Sequence, residues 1–179
     1  MAEFVRIAEP TEETVQRSKK VANSGIDVAA DQVGGTPTDA GVGSMATIAA
    51  IRYAVFVVEQ GVDVAVEWDD KETVAEHILL IDDGRAIGTA RVRLVDGDAL
   101  KCERVAVRPS DRSAGWGKRL MEICESIAHE HSVTECMVHA QQRVAEFYRR
   151  QGYAVVGDPF EEAGIPHVKM RLELTDSTE

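Results

Sequence analysis

The tightest constraint on this chain is a three-strand meander that ends in a change of period. His77–Ile81 alternates as a strand, Asp82-Asp83-Gly84 turns it, and Ile87–Val95 alternates again. Asp96-Gly97 makes a second turn, and Ala99–Val107 forms a third strand. Both turns use residues that tolerate positive φ, which tight hairpins require. After Pro109 the spacing changes: Leu120, Ile123, Cys124, Ile127 and His131 line one face of a helix starting near Gly115.

The rest of the chain fits around this frame. Phe4–Ala8 reads as a strand, and Met45–Glu59 carries helical spacing through Ile48, Ile51 and Val55. Residues 11–44 are polar and loop-like, and the Gly-rich stretch Val33–Gly43 has no hydrophobic period, so the segment reads as a mobile insertion. Val133–Val138 is a strand, and Gln142–Gln151 is a helix stopped by Gly152. Tyr153–Val156 and Val168–Leu174 complete the strands. This order predicts a mixed sheet with helices on its faces.

The 179 residues suit one compact domain, and a 44% hydrophobic fraction is enough for a core. No run of about 18 apolar residues is present, so no membrane span is expected. The residues Met1–Arg6 lack the pattern of a secretory signal, and three cysteines at 102, 124 and 136 sit in apolar patterns. They read as reduced thiols of a cytoplasmic protein. A formal charge of −11 argues against general nucleic-acid binding. The low lysine content, six of 20 basic residues, suits either a halophile or an ordinary acidic enzyme.

Against that acidic background, Arg104–Arg119 holds five basic residues and one acid, a local excess of 5 − 1 = +4. Here a strand runs through a glycine turn into a helix, whose free N–H groups and dipole form an anion site. Gly115 and Gly117 let backbone approach phosphate oxygens without a side chain intervening. A P-loop is excluded because Arg119 follows Lys118 and position 112 is arginine; a dinucleotide fingerprint is excluded by Leu120.

Arg112-x-x-Gly115-x-Gly117, after the strand end Val105-Ala106-Val107, resembles the acetyl-CoA motif of the GNAT N-acetyltransferases. Ala145–Tyr153 is similar to the family's A-x-x-F-Y-x-x-x-G-F segment. Val55–Gln60, Arg104-Val105, His139-Ala140-Gln141 and the tail Phe160–Met170 resemble the ElaA-like branch. The resemblance covers roughly 45–174. It implies a single α/β domain over 1–179, with a central mixed sheet of six to seven strands, helices on both faces and a splayed cofactor cleft.

The resemblance also implies roles. Val105, Ala106 and Val107 would border the pantetheine, and Arg112, Ser113, Ala114, Gly115, Trp116, Gly117 and Lys118 would hold the pyrophosphate of acetyl-CoA. Trp116 would either stack on adenine or shield the turn. Tyr148 would be the general acid for the leaving thiolate, and Glu103 the first candidate base. Family relatives usually carry a small residue at position 103, which leaves Glu59, Glu67, Asp69, His77, His139, His167 or a water chain open as alternatives. Glu59, Arg104, His139 and His167 are the expected contacts to the acceptor. Direct amine attack needs no enzyme nucleophile, and no Ser-His-Asp or Cys-His arrangement is evident.

The expected acceptor is a primary amine on a small molecule or peptide, and Glu67, Asp69, Asp70, Glu161 and Glu162 would favour a cationic one. A monomer or homodimer without a metal is expected, since His129-Glu130-His131 with Cys136 and His139 lacks a ligand-like spacing. The competing class is a non-catalytic acyl-CoA-binding or regulatory module, which would not need Tyr148.

Overall fold

The computed structural model describes residues 2–23, 40–95 and 98–175. Its strands are β1 (Glu3–Ala8), β2 (Glu76–Asp82), β3 (Arg85–Val95), β4 (Ala99–Val107), β5 (Glu135–Gln141), β6 (Ala154–Val155), β7 (Phe160–Glu162) and β8 (Ile165–Glu173). They pair in the order β1-β2-β3-β4-β5-β8-β6, with β7 on β8. The pairing of β4 with β5 is parallel, whereas β1 with β2 and β5 with β8 are antiparallel, so the sheet is mixed as expected. Helices are α1 (Glu12–Asn23), α2 (Ala40–Arg52), α3 (Val64–Glu67), α4 (Trp116–Glu130) and α5 (Ala145–Arg149), and α2 runs on as a π-helical stretch, Tyr53–Glu59.

Two compact units share these elements: Met1–Arg91 with Arg104–Leu120, and Val92–Glu103 with Met121–Glu179. In the first, Met45, Ile48, Ile51 and Val55 from α2 and its extension pack with Leu79, Ile81, Ala86 and Ala106. That is the helical spacing read from sequence meeting the period-two face of the meander. The Asp83-Gly84 turn has φ of 50° and 73° at its two residues, the left-handed pair a tight hairpin demands.

Three readings need correction. Residues 12–23 form α1, not loop: Thr11 caps it by accepting from the Thr14 amide at 3.2 Å, and its inner face is Val15 with Ser18, whose hydroxyl bonds the Thr14 carbonyl. A face made of one valine and one serine leaves no apolar period to see. The count of strands is eight, because Ala163 and Gly164, with φ of 52° and 71°, fold Phe160–Glu162 back on β8. Strand β8 accordingly starts at Ile165, not Val168. The Asp96-Gly97 turn and residues 24–39 of the supposed insertion lie outside the described residues.

Candidate active site

In the first unit, β4 ends in a left-handed kink and a loop of exposed amides. The ladder between β4 and β5 runs from Ala99↔Glu135 to Cys102↔Val138, and β4 continues to Val107. Within that continuation Arg104 has φ 51°, a conformation that non-glycine residues adopt at a cost of about 1–3 kcal/mol when the surroundings hold it. The holding groups are acids: Arg104 Nε lies 2.9 Å from Glu67 Oε2, and Nη2 donates to the Glu67 carbonyl at 3.2 Å.

Glu67 belongs to a buried lattice of charges. Arg52, 1% exposed, donates to Glu67 and forks onto Glu72 at 2.9 and 3.0 Å. Arg91 forks onto Asp69 at 2.7 and 2.8 Å and also reaches Glu72 at 2.9 Å. Trp68 lies 4.3 Å from the Arg52 guanidinium, ring centroid to carbon. Burial pushes the Glu72 and Asp69 carboxyls up, but the guanidinium of Arg52 (on Glu72) and that of Arg91 (on both) outweigh it and hold both low. Glu67 and Asp69 are therefore not acids greeting a cation, which corrects their expected place at the substrate mouth.

The sign for stability follows. Carboxyls held low in the folded state contribute fully above their unfolded value of about 4 and lose that contribution as acid protonates them. Thermal stability is expected to fall continuously below about pH 4, readable by calorimetry from pH 6 to 2.

The loop itself starts from a fixed base. Asp111, 7% exposed, accepts from Arg85 and from Ser110 Oγ at 2.8 Å, and the Arg108 amide donates to Ile87 at 3.0 Å. Ser113 and Gly115 then take φ of 69° and 85°. Alternation of left-handed and ordinary residues turns successive amides toward one concavity, an anion nest. Among the described residues, the amides from Ser113 to Gly117 donate to no partner, and the first helical bond of α4 comes from Arg119 to Gly115. A Cβ on Gly115 would meet nothing within 4 Å, whereas one on Gly88 would lie 2.6 Å from the Ala106 carbonyl. Gly88 is thus the glycine of close packing, and Gly115 the glycine of φ.

Three cations flank the nest in different states. Arg112 is paired as a fork with Glu59 at 2.7 Å on both nitrogens, and its Nε donates to the Val107 carbonyl at 3.2 Å. Lys118 is exposed at the start of α4. Arg108, not singled out from sequence beyond its charge, keeps a buried Nε with no acceptor. Arg108 precedes the loop in the chain, and an unsatisfied buried donor of this kind is one a ligand anion could complete. Trp116 is half-buried at the start of α4.

The second unit holds the proton-transfer candidates. Tyr148 on α5 is 8% exposed, and its ring meets Phe147 and Tyr153 edge-on at 4.9 and 5.8 Å. Burial pushes its phenol up, so it stays neutral and able to donate. No described residue takes its hydroxyl hydrogen. Glu103 is forked by Arg93 at 3.0 and 2.8 Å and approached by Lys101 at 3.1 Å. His139 Nδ1 meets Glu162 at 2.8 Å, and His167 Nδ1 donates to the Ile165 carbonyl at 2.7 Å. His77, in the first unit, is fully buried with Nε2 3.0 Å from the Glu72 carbonyl, and burial lowers its proton affinity. Cys102, Cys124 and Cys136 are buried free thiols; Cys102 is pushed up by its contact to Cys124 and by burial, and Cys136 by its contact to Cys102 and by burial. Those two are no thiolate nucleophiles at neutral pH. Among the described residues no group of three or more His, Cys, Asp or Glu is placed to hold a metal, and no helix is long and apolar enough to cross a membrane.

A strand running through a loop of unpartnered amides into a helix, on a mixed sheet, suits an anionic ligand, and comparison with known proteins gives the fold a family. The acetyltransferase (GNAT) domain model matches residues 44–174, and the chain belongs to that family of acyltransferases. The chain is 38% identical over 121 residues to the uncharacterized N-acetyltransferase YjcF of Bacillus subtilis, covering 67% of this chain and 86% of that one. It is 30% identical over 137 residues to ElaA of Escherichia coli, covering 74% and 90%. The crystal structure of ElaA superposes with a TM-score of 0.67 over 97% of this chain and all of its own, at 22% identity. An aminoglycoside 6'-N-acetyltransferase complexed with coenzyme A shares the fold at a TM-score of 0.56 and 13% identity, over 72% of this chain and 91% of that one.

Proposed function

We propose that this chain is a cytoplasmic, single-domain N-acetyltransferase that moves an acetyl group from acetyl-CoA to a primary amine of a small molecule or peptide. The observation that carries the reading is the run of unpartnered amides from Ser113 to Gly117 leading into α4. Acetyl-CoA supplies the thioester carbonyl that an amine attacks. The nest, with Arg108, Arg112 and Lys118, fits its pyrophosphate, and Val105, Ala106 and Val107 fit its pantetheine arm as a strand edge would. The coenzyme A held by the aminoglycoside enzyme of the same fold supports this choice of ligand.

Tyr148 donates its hydroxyl hydrogen to the departing sulfur, whose thiol has an ordinary pKa of about 8.5. Trp116 contacts the cofactor, and Glu59, Arg104, His139 and His167 contact the acceptor, in a monomer or homodimer that engages neither nucleic acid nor membrane. The test is thiol release from acetyl-CoA against lysine, spermidine and a short peptide amine. Tyr148→Phe is expected to lower kcat about 10- to 100-fold with coenzyme A affinity unchanged by calorimetry. Unaltered kcat would remove Tyr148 from the reaction, and a wild-type protein that binds coenzyme A without transfer would favour the regulatory module.

A further inference from the structure

We propose that His139 takes the proton from the attacking amine, with Glu162 as the positioning residue behind it. The inference rests on the acetyl-transfer reading above and names the base which that reading leaves open.

His139 lies on β5 one residue past Val138, the last residue of the β4–β5 ladder. Its Nδ1 is 2.8 Å from Glu162 Oε2 on β7 and 3.4 Å from Lys101 Nζ on β4. One ring nitrogen cannot donate to the first and accept from the second. The shorter contact and the carboxylate charge place the hydrogen on Nδ1, and Lys101 instead serves Glu103 at 3.1 Å. Nε2 then carries the lone pair, and no described residue bonds it. Phe160 meets the imidazole edge-on at 4.9 Å and fixes its plane. The side chain keeps 27% of its surface exposed.

The other candidates are engaged differently. Glu103 is forked by Arg93, Glu59 is forked by Arg112, and Glu67 and Asp69 are locked in the buried charge lattice. His77 is fully buried. His167 donates to a neutral carbonyl, which cannot stabilise an imidazolium as a carboxylate does.

The charged groups facing His139 are Glu162 from β7, Lys101 from β4, and Lys169 and His167 from β8, Lys169 being its register partner. Glu162 is held low, first by its hydrogen bond to His139. In the step, an ammonium N–H proton passes to Nε2. The freed nitrogen lone pair forms the C–N bond to the thioester carbon, and the C–S pair leaves on sulfur. Tyr148 protonates that sulfur, the nitrogen's second proton reaches the phenolate through water as the amide forms, and His139 releases its proton to solvent.

Histidine-ring nitrogen NMR on the ligand-free protein is expected to show His139 hydrogenated on Nδ1 when neutral, with that preference lost in Glu162→Ala. In transfer to spermidine or the best amine of the panel, His139→Gln should lower kcat/KM about 100-fold or more near pH 7. The loss should shrink as pH rises toward the amine's own value of about 10.4, where the substrate deprotonates unaided. Glu162→Gln should move the acidic limb of the pH profile downward, and Glu162→Asp should restore part of it. Coenzyme A affinity should stay the same in all of them. A neutral His139 hydrogenated on Nε2, or a loss in His139→Gln that is constant across pH, overturns the assignment. A wild-type protein that binds no coenzyme A in calorimetry overturns the acetyl-transfer reading first, and this inference with it.

Discussion

Gly117→Asp is expected to weaken coenzyme A binding by at least about 100-fold, or about 2.7 kcal/mol, while leaving the fold as stable as before. The second residue of α4 has no left-handed φ, so a side chain there meets no backbone strain. A carboxylate in the first turn of a helix interacts favourably with the dipole, by about 0.3–1 kcal/mol. The same carboxylate would sit among the amides from Ser113 to Gly117, where we place the pyrophosphate, and repel it. Gly117→Ala separates charge from bulk and should lose much less affinity. Isothermal calorimetry with coenzyme A, paired with a melting curve, reads both halves of the expectation. An aspartate variant that melts normally and binds as wild type would move the diphosphate away from this loop. Gly115 is the poorer choice for the experiment, because its φ of 85° would add strain to any substitution.

That loop was legible in sequence because everything it needs is local. The anion nest follows from glycine spacing, the excess of positive charge and the switch from strand to helix period, all within one stretch of chain. The Asp83-Gly84 turn and the packing face of α2 were legible for the same reason. Helix α1 was not, because its buried positions are a valine and a serine, and the serine satisfies itself on the Thr14 carbonyl. Strand β7 was hidden by its length of three residues and by an Ala-Gly turn. Glu67 and Asp69 looked like solvent-facing acids because their partners, Arg52, Arg91 and Arg104, are 15 to 37 residues away in the chain. Composition reports a charge, but only tertiary contact reports whether that charge is already neutralised. The His139–Glu162 pair was half visible: both residues drew attention singly, and only the β7–β8 hairpin joins them.

Glu72→Gln is expected to destabilise the protein by about 3–5 kcal/mol, the range for removing one partner from a buried ion pair. Glu72 is 1% exposed and accepts from Arg52 twice and from Arg91 once, so the amide would leave two buried guanidinium groups short of charge. Gln keeps the shape of Glu, which confines the effect to electrostatics and donor–acceptor mismatch. The consequence reaches β4, because Arg52 shares Glu67 with Arg104 and Arg104 holds the positive-φ kink. Urea unfolding should show the midpoint shifted with the slope unchanged. The acid loss of stability should also be shallower in the variant, since the carboxyl that Arg52 and Arg91 hold low is no longer there to titrate. A variant as stable as wild type, with the same acid profile, would mean that water or rearranged side chains already compensate these charges and that the kink in β4 is held by something else.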